Sequence, residues 1–359
     1  MRKFLTLMLA CTCLVCSAKN LVYHDARQFP VLGTVVLVEE GYTRFPDSLK
    51  NQVERELLYT LGTNTAGMAI RFSSDATALS AKWVSTLELE MNHMTPVGIR
   101  GLDLYTLDDN SEWTFVSSVR PTCNKKASQY SIVSGMERKM REYLLYLPLY
   151  DGIDSLYIGI DSAAVIQMPN VDLPIREKPI VVYGTSITQG ACASRPGMAY
   201  TNILEREMNR EFYNFGFSGN GQLDMEVAQL LVTIDAGLYI MDCLPNNTAE
   251  RLRERLEPFY RYLREHRPDV PILFIESPLF PIIRYNQGTA DAINAKNEVL
   301  REFYEKIKAE GAQNIYYMEA EEVFGGNTEF TVDNYHFTDL GFRYFADKLK
   351  PIINTISLK

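Results

Sequence analysis

At 359 residues, with 46% hydrophobic and 23% charged residues, the chain has the composition of a folded globular protein with room for two domains, which excludes a disordered or low-complexity chain. A net charge of −9 and a pI near 5.2 argue against a nucleic-acid partner or an anionic membrane surface, because both demand a basic footprint.

Residues 1–18 carry Arg2 and Lys3, then an apolar run from Phe4 to Val15, then Cys16-Ser17-Ala18. Small residues after an apolar core read as a secretory signal cut near Ala18, so the mature protein is expected in the periplasm or outside the cell. A lipoprotein signal at Cys11 is the alternative, although the apolar core before it is very short. No later run approaches the ~20 apolar residues of a membrane-spanning helix. Beyond the signal only Cys123, Cys192 and Cys243 remain, an odd set and no disulfide scaffold. Cys192 follows one candidate site turn and Cys243 precedes another, so a bond between these two is expected.

From about 19 to 168 the pattern is β. Thr34 to Glu39, Gly67 to Phe72, Ala78 to Trp83, Leu102 to Leu107 and Tyr143 to Leu147 are short runs rich in β-branched, aromatic and leucine residues. Asp109-Asn110 sits between Tyr105-Thr106-Leu107 and Trp113-Thr114-Phe115 like a hairpin connection. Frequent short strands predict an all-β sandwich of jelly-roll type. One helix is predicted within it, Asp47 to Leu61, and a polar segment with Pro169 and Pro174, residues 169–178, reads as a linker.

From 179 to 359 the period changes. Apolar runs at Ile180 to Tyr183, Phe212 to Phe215, Leu238 to Met241, Ile272 to Ile275 and Ile315 to Tyr317 alternate with helical patterns, which predicts a central parallel sheet of flavodoxin type. Asn247-Thr248-Ala249-Glu250 resembles a capping box opening one helix, and a second runs from about Ala290 to a stop at Gly311. Each strand end then delivers a chemically useful residue, because ligands bind at the carboxyl edge of such sheets. Ser186 follows the first strand in Gly-Thr-Ser-Ile-Thr-Gln-Gly; Gly219 follows the second, Asn246 the third, and Asp333-Asn-Tyr-His336 lies near the C-terminus. A lone serine after a strand more often caps a helix, and a lone histidine is more often structural. Together they supply a nucleophile, a base, an orienting carboxylate and oxyanion donors.

Two competing motifs fail on spacing. The α/β-hydrolase elbow needs glycine two residues after the serine, where Thr188 stands, and Gly216-x-x-Gly219-x-Gly221 is not the dinucleotide spacing. Four histidines without a shared spacing give no metal site, and no cofactor is expected.

These four blocks, in this order over roughly residues 178–359, resemble the SGNH (GDSL-type) hydrolases, named for Ser, Gly, Asn and His. Thr185 stands where the first block commonly has Asp. The resemblance implies a serine esterase with catalytic Ser186, Asp333 and His336 and an oxyanion hole from Ser186, Gly219 and Asn246. A β-sandwich ahead of the hydrolase domain is similar to the arrangement in carbohydrate deacetylases, so an acetylated carbohydrate is the expected substrate. A lipid esterase, thioesterase or acyltransferase using the same site is one rival. A glycan-binding protein with an inactive hydrolase domain is another.

Overall fold

The computed structural model describes residues 20–36, 39, 41–324 and 326–358; the expected signal and its alternative lipid anchor lie outside the described residues. In the N-terminal half, β1 (Leu21–Asp25), β2 (Val31–Leu32), β3 (Ala69–Ser74), β4 (Ala78–Ser85), β5 (Leu102–Leu107), β6 (Trp113–Val119), β7 (Ala127–Ser134), β8 (Arg141–Tyr146), β9 (Ile153–Asp161) and β10 (Ile166–Gln167) form two antiparallel sheets. One has the order β1-β9-β4-β7 and the other β10-β3-β8-β5-β6, with β2 beside β3. Alternate residues point inward: Leu79, Ala81, Trp83 and Ile158 meet Phe72, Leu102, Leu104 and Leu145 in one core, as a sandwich requires. The hairpin forms in the expected register, with Leu107 opposite Trp113. Asp108 Oδ1 closes its loop by accepting from the Asn110 and Glu112 N–H groups.

Three local expectations change. Thr34 to Val36 is not a strand: the Thr34 hydroxyl donates to Thr43 O and accepts from Val36 N–H, a local turn that competes with pairing. The helix expected over 47–61 is broken into a 3-10 turn, Asp47–Asn51, and α1 (Glu56–Gly62). The break delivers Arg55 to Asp224 at 2.7 and 2.8 Å and to Asn220 at 2.9 Å, across to the other half of the chain. A second short helix, α2 (Pro96–Arg100), has no counterpart in the expectations. Residues 169–178 are hydrogen-bonded to both halves: Arg71 donates to Leu173 O and Asn170 to Glu142 on one side, and the Ile175 N–H donates to Asn209 O at 2.8 Å on the other, where β11 (Ile175–Gly184) has already begun.

Strand β11 is central in a parallel sheet. After it come α3 (Ser186–Gln189), α4 (Tyr200–Met208), β12 (Arg210–Gly216), α5 (Met225–Leu231), β13 (Leu238–Asp242), α6 (Ala249–His266), β14 (Ile272–Ile275), α7 (Gln287–Ala309), β15 (Ile315–Met318), α8 (Ala320–Phe324) and α9 (Asp339–Thr355). The sheet order is β12-β11-β13-β14-β15, every pairing parallel. The strands are apolar on both faces because both are covered. Ile180, Val182 and Ile240 pack with α4 and α9, and Val181, Tyr183 and Met241 with α5 and α6. The N-cap of α6 is Thr248, which accepts from Arg251 N–H, one residue later than the expected capping box places it. Helix α7 ends at Ala309, and Gly311 follows at φ 88°.

The two halves are joined through β12, the edge strand of the parallel sheet. Arg44 is fully buried and donates to Asn64 O on its own side and to Asn214 O and Gly216 O on β12, each at 2.8 Å. The Gly33 N–H donates to Glu211 at 2.7 Å and the Tyr213 hydroxyl to Thr34 O at 3.1 Å. Nearby, Arg195 Nη1 donates to Asp103 at 2.7 Å and to the Tyr105 hydroxyl at 2.6 Å.

Glu205, at the start of this junction, is buried; it accepts from the Tyr146 hydroxyl at 2.8 Å and from Phe212 N–H at 3.0 Å. Burial outweighs those bonds and pushes its pKa up to about 8. The folded chain therefore keeps a proton that the unfolded chain, titrating near ~4.3, has released. The stabilisation from this group is complete below that lower value and is lost as pH rises through about 8. Glu205→Gln should thus melt increasingly above the wild type as pH is raised from about 5 to 9, by roughly 2 to 4 °C per kcal/mol. Parallel pH profiles for the two proteins would remove Glu205 as the source.

Candidate active site

The turn after β11 is built to carry a side chain out of the sheet. A Cβ on Gly184 would meet Thr188 Oγ1 at 1.8 Å, so only glycine lets α3 fold back this closely. Thr185 caps α3 by accepting from Ile187 N–H, and Thr188 Oγ1 accepts from Thr185 N–H. A hydroxyl thus takes over the capping position that the more common Asp would hold. Beneath the turn, Thr188 and Tyr200 both donate to Asp242 Oδ2 at 2.8 Å, which fixes the turn from below.

Ser186, 8% exposed, is the first residue of α3, and its Oγ lies 2.9 Å from His336 Nε2. His336 Nδ1 lies 2.7 Å from Asp333 Oδ2, so hydroxyl, imidazole and carboxylate form one hydrogen-bonded line. The imidazole is held by its own backbone. Asp333 Oδ1 accepts from the N–H groups of His336 and Tyr335, Asn334 turns at φ 72°, and Phe337 is buried against Phe324, Phe342 and Phe345. Partial burial raises the Asp333 carboxyl, but the bonds from the His336 N–H and imidazole and from Tyr335 outweigh it and hold the pKa below the usual value. The carboxylate stays charged beside the ring.

Gly219 and Asn246 converge on the same edge. Gly219 sits at φ 67° with open space where a side chain would stand, leaving its N–H approachable. The Asn246 carbonyl oxygen accepts from Gly221 N–H at 3.2 Å, which commits that oxygen and turns the amide nitrogen away from it. Among the described residues, the N–H groups of Ser186 and Gly219 and the side-chain amide nitrogen of Asn246 have no hydrogen-bond acceptor. The neighbouring loop is set by buried Gln189, whose Oε1 accepts from Ser218 N–H while its Nε2 donates to Asn64 and Leu149 of the sandwich.

The expected bond between Cys192 and Cys243 is overturned. Cys192 and Cys243 are free thiols, because Cys192 packs on the α9 face of the sheet and Cys243 on the α6 face. Burial, reinforced by the Asp333 charge, pushes the Cys192 thiol up to about 12, so it is protonated and no rival nucleophile.

Sequence reasoning missed what the sandwich contributes. Tyr150 directs its hydroxyl at Ser186 O, 3.4 Å away. His93, from the 86–95 loop, lies with its ring 5.6 Å from that of His336. One signal was present in Gly101-Leu102-Asp103-Leu104-Tyr105, whose buried Asp and Tyr receive Arg195. For His93 nothing in the local sequence points to His336.

The doubly covered parallel sheet with its β-rich N-terminal half defines the chain as an SGNH-type α/β hydrolase, an esterase or acylhydrolase. It belongs to the GDSL-like lipase/acylhydrolase family, whose model matches residues 177–354, and residues 21–166 match the N-terminus of SGNH-hydro-type esterases. A Bacteroides ovatus crystal structure described as a GDSL-like lipase shares 35% identity over 94% of this chain and 98% of its own, with a TM-score of 0.88. At the level of fold, a salicylyl-acyltransferase from a tetracycline biosynthetic pathway is similar at 18% identity and TM-score 0.75, over 94% and 98% of the two chains. A family two carbohydrate esterase from Clostridium thermocellum, in complex with cellohexaose, is similar at 13% identity and TM-score 0.57, with the same coverage. No curated protein matches significantly.

Proposed function

We propose that the protein is an exported serine esterase that removes short acyl groups, acetyl foremost, from carbohydrate hydroxyls. The observation that carries this reading is the line Ser186 Oγ, His336 Nε2, His336 Nδ1, Asp333 Oδ2 at 2.9 and 2.7 Å. Ser186 Oγ attacks the ester carbonyl while His336 Nε2 takes the hydroxyl proton. The oxyanion is held by the Ser186 and Gly219 N–H groups and the Asn246 amide. His336 then gives its proton to the departing sugar oxygen, and water, deprotonated by the same nitrogen, releases the acid and restores Ser186. Asp333 keeps Nδ1 protonated, so that Nε2 always faces Ser186 as the acceptor.

The setting favours a soluble polymer over a bilayer. Asp333, Asn334 and Tyr335 are exposed beside the base, and Tyr335, 44% exposed and braced edge-on against Phe280, offers a flat apolar ring within a polar rim. No helix among the described residues is long and apolar enough to cross a membrane. The cellohexaose-bound relative of similar fold lends support to a glycan substrate. The expected result is a fall in kcat/KM from acetyl to butyryl to octanoyl aryl esters, because each added methylene overpacks a small acyl site. Acetate should also be released from acetylated polysaccharides. Preference for octanoyl with no acetate from any glycan would move the reading to a lipid esterase, and ester formation with an added alcohol to an acyltransferase.

A further inference from the structure

Two side chains at the site, His93 and Cys192, have no part in the proposed ester chemistry, yet they stand beside two that do. His93, Cys192, Asp333 and His336 each offer a ligand atom, and these atoms all lie within 4.8 Å of one another. They come from three separate stretches. His93 is on the 86–95 loop of the sandwich, Cys192 is in the turn after α3, and Asp333 and His336 are on the C-terminal turn. The grouping is fixed from several sides. Cys192 is held in the left-handed region at φ 68°; the adjacent Ser194 N–H donates to Asp339 at 2.9 Å, and Thr95 Oγ1 donates to Ser194 O at 2.5 Å. These bonds bring the His93 loop and the Cys192 turn against the same C-terminal segment.

We propose that these four residues form a binding site for a thiophilic divalent cation of the Zn(II) class, and that occupation switches the enzyme off. One thiol, two imidazoles and one carboxylate are the donors such an ion prefers, and four is its coordination number. Bonds of about 2.0 to 2.3 Å in a tetrahedron place donor atoms about 3.3 to 3.8 Å apart. The observed upper limit of 4.8 Å therefore closes on the ion with movements of about 1 Å. Cys192 is buried while Asp333 is exposed and His93 and His336 are half-buried, so the ion enters from the solvent side and meets the thiol last. Cys192 releases its proton to solvent as sulfur binds the ion.

The inhibitory sense follows from His336. Its Nε2 faces Ser186 Oγ and its Nδ1 faces Asp333, so whichever nitrogen binds the ion is lost to the proposed acid–base line. Metal binding and hydrolysis exclude one another. This consequence rests on the role proposed above for His336, whereas the site itself does not.

Co(II) serves as a visible stand-in. Titrated into the Ser186→Ala protein, it should saturate at one equivalent and give a thiolate-to-cobalt charge-transfer band that Cys192→Ser abolishes. Zn(II) should displace it. In the otherwise wild-type protein, Zn(II) should inhibit aryl-ester hydrolysis reversibly, with activity restored by a chelator. His93→Ala and Cys192→Ser should each raise the inhibitory concentration by about 10-fold or more while metal-free kcat/KM stays unchanged. Absence of the charge-transfer band, or equal inhibition of the wild type and both variants, overturns the site. A normal cobalt spectrum in a protein with no esterase activity would retain the site and reject the proposed hydrolysis instead.

Discussion

Replacing Ser186 or His336 with alanine is expected to lower kcat for acyl esters by about 10⁶, and replacing both should cost little more, because nucleophile and base act as one unit. Neither change should unfold the protein. Among the described residues the Ser186 hydroxyl bonds to His336 alone and the His336 ring to Ser186 and Asp333 alone, so main-chain packing around Phe337 is left in place. Asp333→Asn is the more informative third variant. An amide can still accept from the His336 and Tyr335 N–H groups that shape the turn, but its NH2 then faces Nδ1. That arrangement selects the tautomer with hydrogen on Nε2, which cannot take the serine proton, and a loss of about 10⁴ is expected with the fold intact. Steady-state kinetics with melting curves decide the matter; wild-type turnover in Ser186→Ala would end the assignment.

The second large effect is expected at Asn246. Its carbonyl oxygen is engaged by Gly221, so the amide nitrogen is oriented before any substrate arrives. A donor placed in advance strengthens as charge develops on the carbonyl oxygen, and Asn246→Ala should lower kcat by about 10² to 10³ with KM nearly unchanged. Asn246→Asp should be no better, since a carboxylate offers repulsion where a donor is needed. If the alanine variant altered KM alone, Asn246 would be a substrate-binding residue and not an oxyanion donor.

How much was legible depended on whether a feature is local. The five parallel strands could be read because buried strands must be apolar on both faces, and the runs around Ile180, Phe212, Leu238, Ile272 and Ile315 fall within the observed strands. Ser186, Gly219, Asn246 and His336 could be placed at one edge because parallel strands expose their carboxyl ends together. What was not legible depends on side-chain partners, most of them distant. Thr34 turns back on Thr43, Arg55 interrupts a helix to reach Asp224, and Cys192 and Cys243 face opposite sides of the sheet. The Thr34 turn is set by side-chain hydrogen bonds within ten residues, which compete with strand pairing, and the other outcomes are set by partners far along the chain, about which local propensity carries no information. His93 is the extreme case, because its proximity to His336 depends on how one half of the chain seats against the other.

The guanidinium that grips β12 has a consequence for how the protein can be cut. An edge strand with bare carbonyls is a template for pairing with another molecule, and natural proteins blunt such edges. Here the blunting is supplied from outside the sheet, since Asn214 O and Gly216 O are occupied by Arg44, more than 160 positions earlier in the chain. A hydrolase half expressed by itself would carry an unguarded edge prone to self-association, and in the sandwich half Arg44 would lose two of its carbonyl acceptors and the Phe217 ring it lies over. The two halves are therefore not interchangeable cassettes. Any transplant of this catalytic half onto a different binding module would have to carry residues 33–67 with it.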